Sequence, residues 1–174
     1  MNALMAADFE IRQLHARTID AVWRQDCAAF AGCYAEGGEW KVAGFHVKGR
    51  ANIEAQLNIF IKPIERVLMT FGDPIVDIAN DGEVSSRTFV TETNRYRDGH
   101  TASTIGVYYE RFIQEDGLWR YAWRHWSLHY LGPPDFTGTL YPVKDYGPPP
   151  NLPAPDDPTT VRPELKDEIE PPRN

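Results

Sequence analysis

The second half of the chain constrains its fold most. Residues 66–79, 83–97, 100–114 and 118–131 read as four consecutive strands, joined by the short turns "NDG", "DG" and "QEDG". Each is about twice the usual strand length of roughly 5–6 residues. Antiparallel strands that long twist and curl, so they need something to wrap around. The preceding residues supply it. Helical spacing runs over 6–25 through Phe9, Ile11, Leu14, Thr18, Ile19, Val22 and Trp23. Asp26 reads as the N-cap of a second helix, "CAAFAGCYAEG", ended by Gly37 and Gly38. "EWKVAGFHVKG" alternates like a hairpin, and "RANIEAQLNIFIKPIE" reads as a third helix stopped by Pro63. The expected fold class is α+β: a cone-shaped, curved antiparallel sheet wrapped around about three helices.

A change of texture near Gly132 divides the chain. Of the fourteen prolines, twelve lie from Pro133 onward, a density that removes ladder donors and favours extended backbone. The division is therefore a cone domain, 1–132, and a proline-rich tail, 133–174. Phe136, Leu140, Tyr141 and Tyr146 in the first part of the tail are worth burying, whereas its last twenty residues are polar and expected to be mobile. A net charge of −7 excludes nucleic acid and anionic membrane as natural partners. No run of eighteen apolar residues is present, and the acidic start "MNALMAADFE" does not read as a signal peptide. Cys27 and Cys33 suit two reduced thiols, so a cytoplasmic protein is expected.

Whether the cone is filled or hollow turns on "RTFVTETNRY". Phe89, Thr91, Thr93 and Arg95 share one face of that strand; Val90, Glu92, Asn94 and Tyr96 share the other. Neither is the apolar run of a filled core. The mixture suits a partly polar cavity, and equally a solvated face.

The segment "EWKVAG" leading to "VKGRANI", the "FGDP" step into a strand, and the closing "YYERFIQEDGLWRYAWR" resemble the SnoaL-like group of the nuclear-transport-factor-two-like superfamily, over residues 5–134. Within it the pattern is most similar to the scytalone dehydratases and hexachlorocyclohexane dehydrochlorinases. That resemblance implies a lyase without cofactor or metal, acting inside the cone. It also implies site residues: Asp20 as the buried carboxylate on the first helix, Ser103 as a substrate-binding serine and Arg124 as a pocket arginine. The sequence departs from the pattern where these lyases carry histidine. Thr70 stands before the "FG" step, Thr93 takes the second histidine position, and in the dehydrochlorinase register Trp23 replaces the helix aspartate. The usual His–Asp dyad is absent from its usual place.

The residues themselves offer further candidates. Arg124, Trp126, Leu128 and Tyr130 alternate with Trp123, His125, Ser127 and His129, so one face looks into the pocket and the other onto a subunit neighbour. Family position points Arg124 inward; a bulge would bring histidine in as well. The expected catalytic set is Asp20, Arg124, His125 and Tyr96. The expected substrate contacts are Trp23, His46, Thr70, Thr93, Ser103, Tyr108, Trp126 and His129. His15 fits either surface or site, His100 an exposed turn, and Arg124 could instead pair with Glu92 or Glu110. No His, Cys or carboxylate spacing matches a metal site, and no phosphate-binding glycine loop or nucleophile elbow appears. The expectation is a cofactor-free lyase or isomerase for a small aromatic, oxygenated or hydrophobic substrate, assembled as a homodimer or homotrimer. The alternative is a non-catalytic binding or scaffold subunit, like the small subunit of ring-hydroxylating dioxygenases.

Overall fold

The computed structural model describes residues 2–162. In chain order it contains α1 (Ala3–Trp23), α2 (Cys27–Ala31), β1 (Tyr34–Val42), β2 (Phe45–Lys48), α3 (Arg50–Ile61), β3 (Ile64–Phe71), β4 (Ile75–Ile78), β5 (Val84–Tyr96), β6 (Thr101–Glu115), β7 (Leu118–Gly132) and β8 (Thr139–Leu140). The sheet runs β2-β1-β7-β6-β5-β3, with β4 beside β5 and β8 beside β7. Only the β1–β7 pair is parallel among those described. The sheet is large, curved and unclosed, the cone expected from the long strands. No helix among the described residues is long and apolar enough to cross a membrane.

Helix α1 lies in the concavity because Ala7, Ile11, Leu14, His15, Thr18, Ala21 and Val22 recur at helical spacing along one stripe, all buried. Asn2 caps it, accepting from the Met5 amide at 2.8 Å. Asp26 caps α2 as expected, accepting from the Ala29 amide at 2.9 Å. That helix is shorter than the sequence suggested and ends at Gly32. Gly37 and Gly38 lie instead in β1, at the bulge where it joins β7. A Cβ on Gly38 would come 2.9 Å from the Tyr121 carbonyl oxygen, which is why this strand carries glycine at the bulge. The expected strand 66–79 is broken between Phe71 and Ile75, where Pro74 has no amide to give to a ladder.

The described part of the tail is a strap. After β8 it crosses the outer face of the sheet, where Tyr146 and Leu152 pack on Val107, Tyr109 and Trp123. Lys41 Nζ then donates to the carbonyl oxygens of Pro155 (2.8 Å) and Asp157, and the Gly44 amide donates to Thr159 Oγ1 at 2.8 Å. Two expectations change. Part of the outer face expected to meet a subunit neighbour is covered here by the chain itself, with Phe89 still exposed on it, and Phe136 and Leu140 are exposed rather than buried. Residues 155–162 are part of the strap; the rest of the segment expected to be mobile lies outside the described residues.

His125 is buried under this strap, between Trp123 and Tyr109, and burial followed by the nearby Lys41 charge pushes it down to about 4. A histidine held neutral in the fold binds a proton in the unfolded chain first, so stability falls from about pH 6.5 and levels off near pH 4. His125→Gln should remove roughly 2–3 kcal/mol of that loss, read as a shallower pH dependence of urea midpoints. At the β6–β7 crossing, a Cβ on Gly106 would lie 2.3 Å from the Ser127 carbonyl oxygen and 2.8 Å from the Trp126 ring. Gly106→Ala is expected to destabilise the protein by about 1–3 kcal/mol, measured by the same unfolding curves.

Candidate active site

Inside the cone lies a cavity of about 1080 Å³, bounded by α1 to α3 and the inward faces of β3, β5, β6 and β7. Its body is apolar, with Val22, Phe30, Val67, Met69, Val90 and Trp126 in the wall. Against this background the polar groups stand out: Glu92 and Thr104, which face each other across β5 and β6, and the Tyr108 hydroxyl. Asn94 Nδ2 donates to Glu92 Oε1 at 2.6 Å, and Asn94 Oδ1 is buried without a partner. Trp40 Nε1 donates to the Tyr108 hydroxyl at 3.2 Å, leaving the phenol's own hydrogen free for a guest. Burial keeps that phenol protonated, pushing its pKa up.

In the cavity floor runs a buried ionic network, in which Arg124 Nη2 and His15 Nδ1 have no hydrogen-bond partner among the described residues. Arg124 Nε donates to Glu110 Oε1 at 3.0 Å, and Nη1 donates to the Tyr34 hydroxyl at 3.2 Å. Glu110 Oε2 is met by His15 Nε2 at 2.9 Å, Ser86 Oγ at 2.6 Å and Thr88 Oγ1 at 3.0 Å. Burial alone would raise the Glu110 pKa; the charges of His15 and Arg124 and these hydrogen bonds outweigh it and draw it down to about 2. The guanidinium carbon of Arg124 stacks 3.7 Å from the Tyr108 ring centroid and 4.2 Å from that of Tyr121. Burial opposes its charge, but Tyr34, Tyr121 and Glu110 hold it charged.

Of the residues expected from sequence, Arg124, Tyr96, Tyr108 and Trp126 line the cavity. The others do not. Asp20 is on the outer side of α1, its side chain 65% exposed and bonded to Arg24 Nε at 2.9 Å. It is not a buried carboxylate, because the apolar stripe of α1 passes through Leu14, Thr18, Ala21 and Val22. Trp23 is 51% exposed and donates to the Met69 carbonyl oxygen. His46 sits exposed on β2, 2.6 Å from Glu39. Thr70 is exposed on β3. Thr93 and Ser103 bond to each other at 3.0 Å on strand positions of opposite parity to Glu92 and Thr104. His125 and His129 face the strap; the bulge at His129 turns Leu131 inward, not a histidine.

His15, Glu92, Asn94 and Glu110 were missed as site residues. His15 could have been found, since it shares the stripe of Ile11, Thr18 and Val22. Glu92 shares the strand face of Val90 and Tyr96 but was weighed only as a partner for Arg124, a place that Glu110 takes. Among the described residues no three His, Cys, Asp or Glu side chains converge as a metal ion would need.

Comparison with known proteins agrees with this architecture. The SnoaL-like domain family matches residues 5–125. No curated protein matches the chain. Among solved structures, the function-unknown protein Rv3472 of Mycobacterium tuberculosis is 24% identical, with a TM-score of 0.64 over 71% of this chain and 72% of its own. A putative scytalone dehydratase of Novosphingobium aromaticivorans is 17% identical, with a TM-score of 0.68 over 80% of this chain and 91% of its own. A type 2 hexachlorocyclohexane dehydrochlorinase, LinA, is 15% identical, with a TM-score of 0.67 over 84% and 96%. At these identities the likeness is one of fold.

The ionic network yields its own prediction. A carboxyl drawn below its unfolded value contributes stability above about pH 4.5, and that contribution is lost as pH falls toward 2. Glu110→Gln leaves Arg124 charged and uncompensated, so it should cost about 3–5 kcal/mol at pH 7. Urea midpoints of the two proteins should draw together as pH falls below about 4.5.

Proposed function

The chain belongs to the SnoaL-like family, and from the contents of its cone we propose that it is a cofactor-independent lyase or isomerase acting on a small, largely aromatic, oxygenated molecule. The observation that carries this reading is a carboxylate, Glu92, steadied by Asn94 in the wall of an aromatic cavity that also presents the Tyr108 hydroxyl. Such a pair can move a proton and receive the charge it leaves behind.

Glu92 would take the proton from a carbon next to a carbonyl. The electron pair moves onto the carbonyl oxygen, where the Tyr108 O–H donates to it. Arg124, stacked under the same ring, adds fixed positive charge without leaving Glu110. Collapse of the enolate expels a β-hydroxyl, which takes the proton back from Glu92 to leave as water and restores the carboxylate; return of that proton to another carbon gives isomerisation instead. The aromatic wall, Trp40, Tyr108 and Trp126, excludes water and fits a flat substrate. The family's neighbours named as dehydratase and dehydrochlorinase make an elimination the natural first class to try.

The test is an ultraviolet absorbance screen against β-hydroxylated aromatic ketones without added metal or cofactor, since elimination extends conjugation and adds a long-wavelength band. With a turned-over compound, Glu92→Gln should lower kcat by about 10²–10⁴ and Tyr108→Phe by about 10²–10³. Thermal stability of both should stay within about 1–2 kcal/mol. Asp20→Asn should leave turnover unchanged. Ligand quenching of Trp40 and Trp126 fluorescence with no product from any compound would favour a binding module instead.

A further inference from the structure

The mouth of the cavity differs from its interior. Where the α3–β3 connection, the β5–β6 turn and the end of the strap meet, the lining changes to Lys62, Arg97, Asp98, His100 and Arg162. Asp98 is occupied by its own turn, accepting from the His100 amide at 3.1 Å and lying 2.6 Å from His100 Nδ1. Among the described residues neither Lys62 nor Arg97 makes an ion pair. Arg97 Nε donates to the Lys62 carbonyl oxygen at 3.1 Å, which covers the negative end of α3 and ties the Arg97 side chain to the Lys62 backbone. In a chain of net charge −7, three cations gather at the rim of its large apolar cavity.

We infer that this rim is an anion subsite, and that the ligand of the cone is an aromatic carboxylic acid which enters ring first and leaves its carboxylate at Lys62 and Arg97. This rests on the reading of the cone as a small-molecule pocket. The charge distribution sets the orientation. Glu92 would repel a carboxylate deep in the cavity, where a low dielectric magnifies the repulsion, whereas the rim attracts it in a wetter setting. A guanidinium fork matches a carboxylate's two oxygens, and the lysine adds a point charge beside it. Glu92 and Tyr96 are about 13 Å apart along β5 at roughly 3.3 Å per residue. With the reach of the side chains included, a bicyclic or tricyclic acid bridges rim and carboxylate.

Calorimetric titration of the full chain with 2-naphthoate and with its neutral isostere 2-naphthamide tests the inference. The acid should bind at least tenfold more tightly than the amide. In the double variant Lys62→Gln, Arg97→Gln the preference should fall below threefold while the amide's affinity is unchanged. Equal affinities in the wild type, or a preference that survives the double variant, would overturn the anion subsite and leave the pocket reading standing. Binding of neither compound would overturn both.

Discussion

Ser86, Glu110 and Arg124 form one row across β5, β6 and β7, each the register partner of the next. The row holds a carboxylate and a guanidinium that are fully out of water, and removing such ions from water costs several kcal/mol each. The arrangement holds because both carboxylate oxygens are met. Glu110 receives Arg124, His15, Ser86 and Thr88, and His15 arrives from α1, tying the helix to the sheet. A one-residue slip in any of these strands would turn a charge outward and leave its partner buried alone. The network thus sets register, decides which face is concave, and positions α1, well beyond what an apolar core of similar volume would specify.

The cavity follows from that row by parity. Stepping by two from Ser86 brings Thr88, Val90, Glu92, Asn94 and Tyr96 to the inner face of β5. Stepping back from Glu110 brings Tyr108, Gly106, Thr104 and Ala102 to the inner face of β6. Gly106 leaves the space beside the Trp126 ring, so a tryptophan can lie flat in the wall where any side chain would collide. Beyond it, the bulge opposite Ile105 and Gly106 shifts β7 by one residue, turning Leu131 inward and freeing Tyr130 to anchor the start of the strap. A single register choice therefore decides the floor, the walls and the outer covering.

Much of this was legible in the sequence. The strand lengths, the turns at Gly82, Gly99 and Gly117, and the cap at Asp26 are local signals, and they gave the curved α+β fold. Side-chain parity was also readable: the face of Val90, Glu92, Asn94 and Tyr96 was separated correctly from that of Phe89, Thr91 and Thr93. The failures arose where position in a family stood in for local geometry. Asp20 was placed inside on that basis, and Trp23 by a helical spacing drawn too wide, although the buried stripe through Ile11, Leu14 and Thr18 leaves both outside. Thr70, Thr93 and Ser103 are each one residue from the inner face, an error that only register can reveal. His15 was undervalued because a polar residue in an apolar stripe looks like an interruption unless its partner is known. That partner, Glu110, lies 95 positions away. The strap was illegible for a similar reason: a proline-rich segment carries no periodicity to show which surface it will cover.

Two glutamates on the same concave surface have opposite fates, and the contrast explains which of them is available for chemistry. Glu110 is saturated. Its hydrogen bonds and the neighbouring His15 and Arg124 charges hold its proton affinity so low that it cannot act as a base near neutral pH. Glu92 has a single strong donor, Asn94 Nδ2, and borders the space a ligand would fill. The same separation applies to positive charge. Arg124 is committed to Glu110 and stacks on the Tyr108 ring, whereas Lys62 and Arg97 make no ion pair among the described residues and stand at the mouth. The fold has spent both oxygens of Glu110 on structure, whereas Glu92 faces the cavity with bonding capacity still to use.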